Sequence, residues 1–259
     1  MNDETSRMFA APAAGYDRLI GRYLPALAPA FADAVPVTTG MRVVDIGCGP
    51  GGLTRELVSR VGASGVSAID PSAPFVEACR TRNPGVDVRK GFAESLPFDT
   101  DSFDAALASL VIGFMSDPVA GVREMSRVTR PGGTVAACQW DRGGMPAMRI
   151  LGQFMVAADP TVSDRMKLTG DTAGEIAAVF REAGLTDVED GALTARGSYA
   201  NFDDWWEPFT LGIGPHGAYL ETLDHSGREV LRLACLNTFD RPEQPFTVQA
   251  RAWFARGTV

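Results

Sequence analysis

The stretch Val43-Val44-Asp45-Ile46-Gly47-Cys48-Gly49-Pro50-Gly51-Gly52 passes from a short apolar run through a cluster of glycines straight into a second patterned segment, Leu53 to Val61. A run of strand length that turns through glycines into a helix is the opening of a βαβ unit. Glycine tolerates positive φ and lets a ligand come close to the backbone, and such a turn is expected to aim free N–H groups at that ligand. Gly47, Gly49 and Gly52 also fit the G-x-G-x-x-G spacing of dinucleotide sites, a weak signal by itself. Asp45 changes the balance. A carboxylate at the strand end, two residues before the first glycine, would repel a pyrophosphate and favour an ammonium or sulfonium cation. The loop therefore reads as a holder for a cationic nucleoside.

Asp70 supports that reading. It ends the next candidate strand, 21 residues beyond Gly49, where a strand-end acid can accept hydrogen bonds from both hydroxyls of an unphosphorylated ribose. Moving outward, strand-length apolar runs alternate with amphipathic stretches, the pattern of a parallel sheet covered by helices. Candidate strands are Arg42 to Ile46, Gly65 to Ile69, Val86 to Lys90, Asp104 to Leu110, Gly133 to Trp140, Thr186 to Thr194 and Phe246 to Ala255. Helix starts are predicted at Ser72 before Ala73-Pro74, at Asp117 before Pro118, and at two capping boxes, Thr172/Glu175 and Ser226/Glu229.

Two regions fall outside the alternation. Residues 1–40 hold one helix-like stretch, Tyr16 to Ala34, expected to lie over the strand ends as a lid. Residues 199–243 are rich in aromatic side chains and read as a helical cap inserted before the last strand, 244–259. With 41–195 as the cofactor-binding core, one domain over 1–259 is the economical division.

Composition removes several classes of function. The 259 residues are 45% apolar and 22% charged, which excludes disorder and collagen. A net charge of −8 opposes attraction to nucleic acid or an anionic membrane surface. No run approaches the ~20 apolar residues of a membrane span, and the first residues do not read as a secretory signal. Cys48, Cys79, Cys138 and Cys235 show no metal-ligand spacing, so a reduced, cytoplasmic chain with no metal is expected.

Several motifs together resemble the class I S-adenosylmethionine-dependent methyltransferases, small-molecule type, similar to the ubiquinone/menaquinone-biosynthesis methyltransferases. They are Asp45 to Gly51, Asp70-Pro71-Ser72, Gly91-Phe92-Ala93-Glu94-Ser95-Leu96-Pro97-Phe98 followed by Ser102-Phe103-Asp104, and Arg123-Glu124-Met125 through Val128 to Arg130-Pro131-Gly132-Gly133. The resemblance covers residues 16 to about 140 well and implies an α/β, Rossmann-like sheet of six parallel strands and one antiparallel. It implies S-adenosylmethionine as cofactor. Asp45, Gly47 and Gly49, with Cys48 between them, would contact its methionine part, Asp70 and Pro71 the ribose, Phe92 and Ala93 the adenine. Ser109 or Leu110 would lie near the methyl group, and Tyr16 and Arg22 would close over the cofactor. Position 92, often aspartate, is Phe92, so adenine readout falls to backbone groups or Glu94; position 113, often histidine, is Gly113.

The implied reaction is methyl transfer to a small-molecule acceptor. The acceptor is expected against Trp140 and the Trp205, Trp206 and Phe209 segment of the cap, with His216 the candidate general base. A monomer or homodimer would suffice. Two rivals stand beside this: a binding protein that holds the cofactor without turnover, and an NAD-dependent oxidoreductase on the same glycine spacing.

Overall fold

The computed structural model describes residues 13–259, so the first twelve residues of the expected lid lie outside the described residues. Seven strands form one sheet in the order β3-β2-β1-β4-β5-β7-β6. They are β1 (Val43–Ile46), β2 (Val66–Asp70), β3 (Asp87–Lys90), β4 (Phe103–Ser109), β5 (Thr129–Trp140), β6 (Thr186–Tyr199) and β7 (Phe246–Thr258). Neighbours from β3 through to β5 are parallel, and β7 runs antiparallel to both β5 and β6. Six strands therefore share one direction and β7 opposes them. This is the Rossmann-like α/β arrangement expected from the motifs.

The central strands carry no polar alternation because both faces are covered. Val43, Ala105, Leu107, Ala136 and Cys138 face one layer, packed with α2 (Leu24–Ala34) and α3 (Gly52–Val61). Their neighbours Val44, Ile46, Ala106, Ala108, Val135 and Ala137 face the other, with α5 (Pro118–Val128) and α7 (Glu175–Ala183). Between them in sequence, α4 (Ala73–Arg82) covers Ala68 and Val88 with Val76 and Cys79.

Local starts are realised unevenly. Asp117 caps α5 through the N–H of Ala120, as predicted. Ser72 holds the N-cap position of α4 without a side-chain cap. At α7 the box is half formed: Glu175 reaches back to the N–H of Thr172, but Gly174 is the N-cap. Asp224, not Ser226, caps α10 (His225–Leu236), accepting from Gly227 at 2.7 Å. An aspartate one residue before the helix competes successfully with the hydroxyl inside it.

The expected helix from Tyr16 to Ala34 is broken into α1 (Ala13–Leu19), a 3-10 turn at Gly21–Tyr23, and α2. Pro25 has no N–H to return to Gly21, and glycine does nothing to hold the joint straight. β6 continues past Thr194 to Tyr199 because β7 pairs with it as far as Phe246. A helix the sequence reading did not anticipate, α6 (Pro146–Ala158), fills the excursion between β5 and α7.

The helical cap before β7 is present as α8 (Phe202–Trp206), α9 (Gly214–Glu221) and α10. Its aromatic side chains correct the expected acceptor wall. Trp205, Trp206 and Phe209 are buried at 1%, 5% and 1% exposure, in a cluster with Phe202 and Phe239. The Trp205 indole N–H donates to the Ala147 carbonyl at 3.2 Å, anchoring α6 to the cap. These rings fill the core behind α6 and do not reach the cavity described below. Trp205→Ala is accordingly expected to lower stability by about 3–5 kcal/mol, read by chemical denaturation, because it opens a cavity and removes the tie to Ala147.

Candidate active site

A cavity of about 550 Å³ opens at the C-terminal ends of β1, β2, β4 and β5, where α/β sheets of this type hold ligands. Its floor is the glycine loop and the end of β2. Gly47, Gly49 and Gly51 sit at φ of 68°, 53° and 95°, a region that side chains disfavour. A Cβ on Gly47 would overlap the Val111 methyls, while one on Gly49 would enter the space beneath the Tyr16 ring. Tyr16 in turn meets Phe75 edge to face at 5.4 Å, and both line the cavity.

The loop's N–H groups are already engaged, which corrects the expectation that they point free at the ligand. Gly47 and Cys48 donate to the Ile69 carbonyl, Gly49 to Asp70 Oδ2 at 2.9 Å, and Gly51 to the Cys48 carbonyl. A cradle for phosphate needs such donors open. This one holds none at those positions.

Asp70 lines the cavity with both carboxylate oxygens accepting one backbone hydrogen bond each, from Gly49 and from Ser72. Each oxygen keeps lone-pair capacity for a second donor. Burial pushes its carboxyl up to about 6 against those bonds. Asp45 is placed differently from the expectation. It is fully buried behind the loop, accepts from the Thr54 hydroxyl at 2.6 Å and the Thr54 N–H, and does not line the cavity. Its Oδ1 has no partner, and burial pushes its carboxyl up to about 7.

Of the other expected cofactor residues, Tyr16, Pro71, Ser109 and Leu110 do line the cavity, Leu110 at an unusual φ of 62° while its N–H donates to the Cys138 carbonyl. Four do not. Cys48 is tucked beneath the loop beside Cys79. Phe92 stands 42% exposed, and Ala93 and Glu94 lie in a turn braced where the N–H of Ser116 donates to the Glu94 carboxylate. Arg22 is held away from the cavity by Asp204 and the Ser198 carbonyl, above the ring of Tyr199. It fastens α1 and α2 to β6 and α8 and does not close over a ligand.

The side of the cavity away from the glycine loop is built from residues that sequence reasoning mostly missed. Trp140 lines it as expected, with an indole N–H that is buried and unpartnered; so is the amide nitrogen of Gln139 beside it. The Gln139 side chain fills the room left above Gly113, where any Cβ would collide with it. Beyond them, α6 and the segment up to Asp171 supply Met145, Met148, Met166 and Leu168. Strand-end position could have flagged Gln139 to Arg142, and Pro146 followed by apolar residues could have flagged α6. His216 lines the cavity, its Nε2 3.1 Å from the Met148 carbonyl, and burial pushes it down to about 4. A neutral imidazole of such low proton affinity suits hydrogen bonding and packing, and it removes protons poorly at neutral pH.

The two raised carboxyl groups make a pH prediction. Their folded values of about 6 and about 7 exceed the ~3.9 of an unfolded aspartate, so the folded state holds protons that the unfolded chain has released. The stability they contribute is present below about pH 4 and is lost as pH rises through 6 and 7. Asp45→Asn keeps the Thr54 hydroxyl bond and should flatten part of this fall. Melting temperatures measured from pH 4 to 8 should show the variant gaining on the native chain as pH rises.

Comparison with known proteins gives the chain's family and fold relatives. A family model described as methyltransferase domain matches residues 44–137. A demethylmenaquinone methyltransferase from Roseiflexus castenholzii is 32% identical over 203 residues, covering 70% of this chain and 85% of that one. A 2-methyl-6-phytyl-1,4-hydroquinone methyltransferase from Oryza sativa subsp. japonica is 40% identical over 95 residues, 36% of this chain and 27% of its own. For three of the curated relatives it matches, the chain spans 27%, 56% and 33% of their length. A solved structure of a putative type II methyltransferase from Anaeromyxobacter dehalogenans superposes with a TM-score of 0.67 at 19% identity, over 91% of this chain and 96% of that one. At that identity the likeness is one of fold.

Proposed function

Because the chain belongs to the class I S-adenosylmethionine-dependent methyltransferase family, we propose that it transfers the sulfonium methyl of S-adenosylmethionine to a small-molecule acceptor. The observation that carries this reading is the cavity floor: a carboxylate with spare acceptor capacity at Asp70, beside a glycine loop whose N–H groups at 47, 48, 49 and 51 are engaged within the protein. Such a floor suits a cationic nucleoside with a free ribose and is poorly matched to a pyrophosphate. That argues against the NAD-dependent oxidoreductase.

The residues present fit the cofactor. Asp70 would accept from the ribose hydroxyls, Gly47 and Gly49 would lie against the methionine part, and Tyr16 and Phe75 would cover it. Asp45 would act from behind the loop through its charge. When bound, the sulfonium supplies an activated methyl and a neutral thioether leaving group. The chain's own contribution is to orient the acceptor in line with that methyl and to keep water out, which the apolar walls from α6 and Leu168 serve. Transfer would exchange the methyl–sulfur bond for a bond to the acceptor atom, and a proton carried by that atom would be lost to solvent. Four buried free thiols accord with a reducing compartment, the cytoplasm, and the acidic surface accords with a partner other than nucleic acid. Among the described residues no helix is long and apolar enough to cross a membrane. A monomer or homodimer is sufficient for this chemistry.

Calorimetry should show binding of S-adenosylmethionine and S-adenosylhomocysteine and none of NAD; the reverse pattern would overturn the reading. Release of S-adenosylhomocysteine with an acceptor panel separates an enzyme from a non-catalytic binder. Asp70→Asn should weaken the adenosyl ligands about 10- to 100-fold, the loss of a charge-assisted hydrogen bond. Gly49→Val should abolish their binding while circular dichroism stays native, since its side chain would enter the ligand space at positive φ.

A further inference from the structure

The charged groups around the cavity are nearly all matched, and the exception is informative. Asp141 is paired with Arg251 at 2.5 Å and Asp171 with Arg142 at 2.6 Å, so the two carboxylates at the rim are neutralised. Asp70 is held by backbone N–H groups. His216 is neutral at neutral pH. Arg149, on the first turn of α6, lines the same cavity, and its side chain forms neither an ion pair nor a hydrogen bond among the described residues. In a chain of net charge −8, a cation with no carboxylate partner at the cavity that holds the glycine loop runs against the general composition.

Gln153 strengthens the point independently. It stands one helical turn beyond Arg149, on the same face, lines the cavity, and its side chain likewise has no hydrogen-bond partner among the described residues. The two side chains together present a guanidinium fork and an amide donor, a combination matched to a planar oxyanion. Inward from them the wall is apolar and adaptable, built from Met145, Met148, Met166 and Leu168.

We propose that the α6 end of the cavity is the acceptor subsite, and that it takes a small molecule with an apolar body and one carboxylate, held at the rim by Arg149 and Gln153. The assignment rests on the methyl-transfer reading of the cavity. One unmatched cation calls for a singly charged anion, which favours a carboxylate over a doubly charged phosphate. The apolar body lies along the methionine wall, and its reacting atom points toward Ser109 and the cofactor floor.

The test uses the full chain saturated with S-adenosylhomocysteine and a matched pair of probes, 2-naphthoate and 2-naphthamide, titrated by calorimetry. Naphthoate should bind about tenfold more tightly than the amide, the size of one charge-assisted hydrogen bond. Arg149→Leu, which keeps the apolar stem, should erase that preference, and Arg149→Lys should restore part of it. Equal affinities in the native chain, no binding of either probe, or a preference that survives Arg149→Leu would each overturn the proposal. Failure of the native chain to bind S-adenosylhomocysteine would instead overturn the methyl-transfer reading. The naphthoate preference, measured then on the unliganded chain, would decide the anion subsite by itself.

Discussion

Asp70 receives the N–H of Gly49 from one side and the N–H of Ser72 from the other, and thereby ties the glycine loop after β1 to the end of β2 and the start of α4. Both donors leave room on the carboxylate, so the group that holds the loop in shape is also the acceptor exposed at the cavity floor. The positive φ values of Gly47, Gly49 and Gly51 follow from the same demand. The chain must double back tightly enough for Gly47 and Cys48 to reach the Ile69 carbonyl while keeping its Cα face clear for a ligand.

Behind that loop the protein accumulates negative charge in a place where water cannot screen it. Asp45 has no solvent exposure and one oxygen without a partner, and Asp70 is 6% exposed. Each raised carboxyl marks an unfavourable state that a nearby cation relieves.

The far wall is made by an excursion between β5 and α7, and it stays in place through ties that cross long stretches of sequence. Arg142 meets Asp171, Arg251 meets Asp141, and Trp205 meets the carbonyl of Ala147. Tyr23 and Tyr199 join their hydroxyls at 2.8 Å, and Tyr23 packs edge-on to Trp140, so the broken N-terminal helices are fixed to the same wall. The aromatic cluster of the cap thus acts through α6: it supports the helix that lines the cavity, while the cap's own share of the lining is the Ile213 to His216 turn.

The glycine loop, the sheet class, the seven strands and the carboxylate of the cavity floor were legible in the sequence, because each is a local pattern: strand-length apolar runs, glycines where side chains cannot go, an acid at a strand end. Helix starts were readable only where one cap candidate stood alone, as at Asp117; where Asp224 and Ser226 competed, geometry chose. Tertiary structure alone decided which side chains face the cavity. Asp45 turned to the start of α3, Arg22 to Asp204, and Trp205, Trp206 and Phe209 into the core, while Gln139, Met148 and Arg149 turned toward the cavity. A sequence names the residues at a strand end or on a helix. The direction each faces depends on partners dozens or hundreds of positions away, such as Asp204 for Arg22 and Ala147 for Trp205, and no local period encodes those contacts.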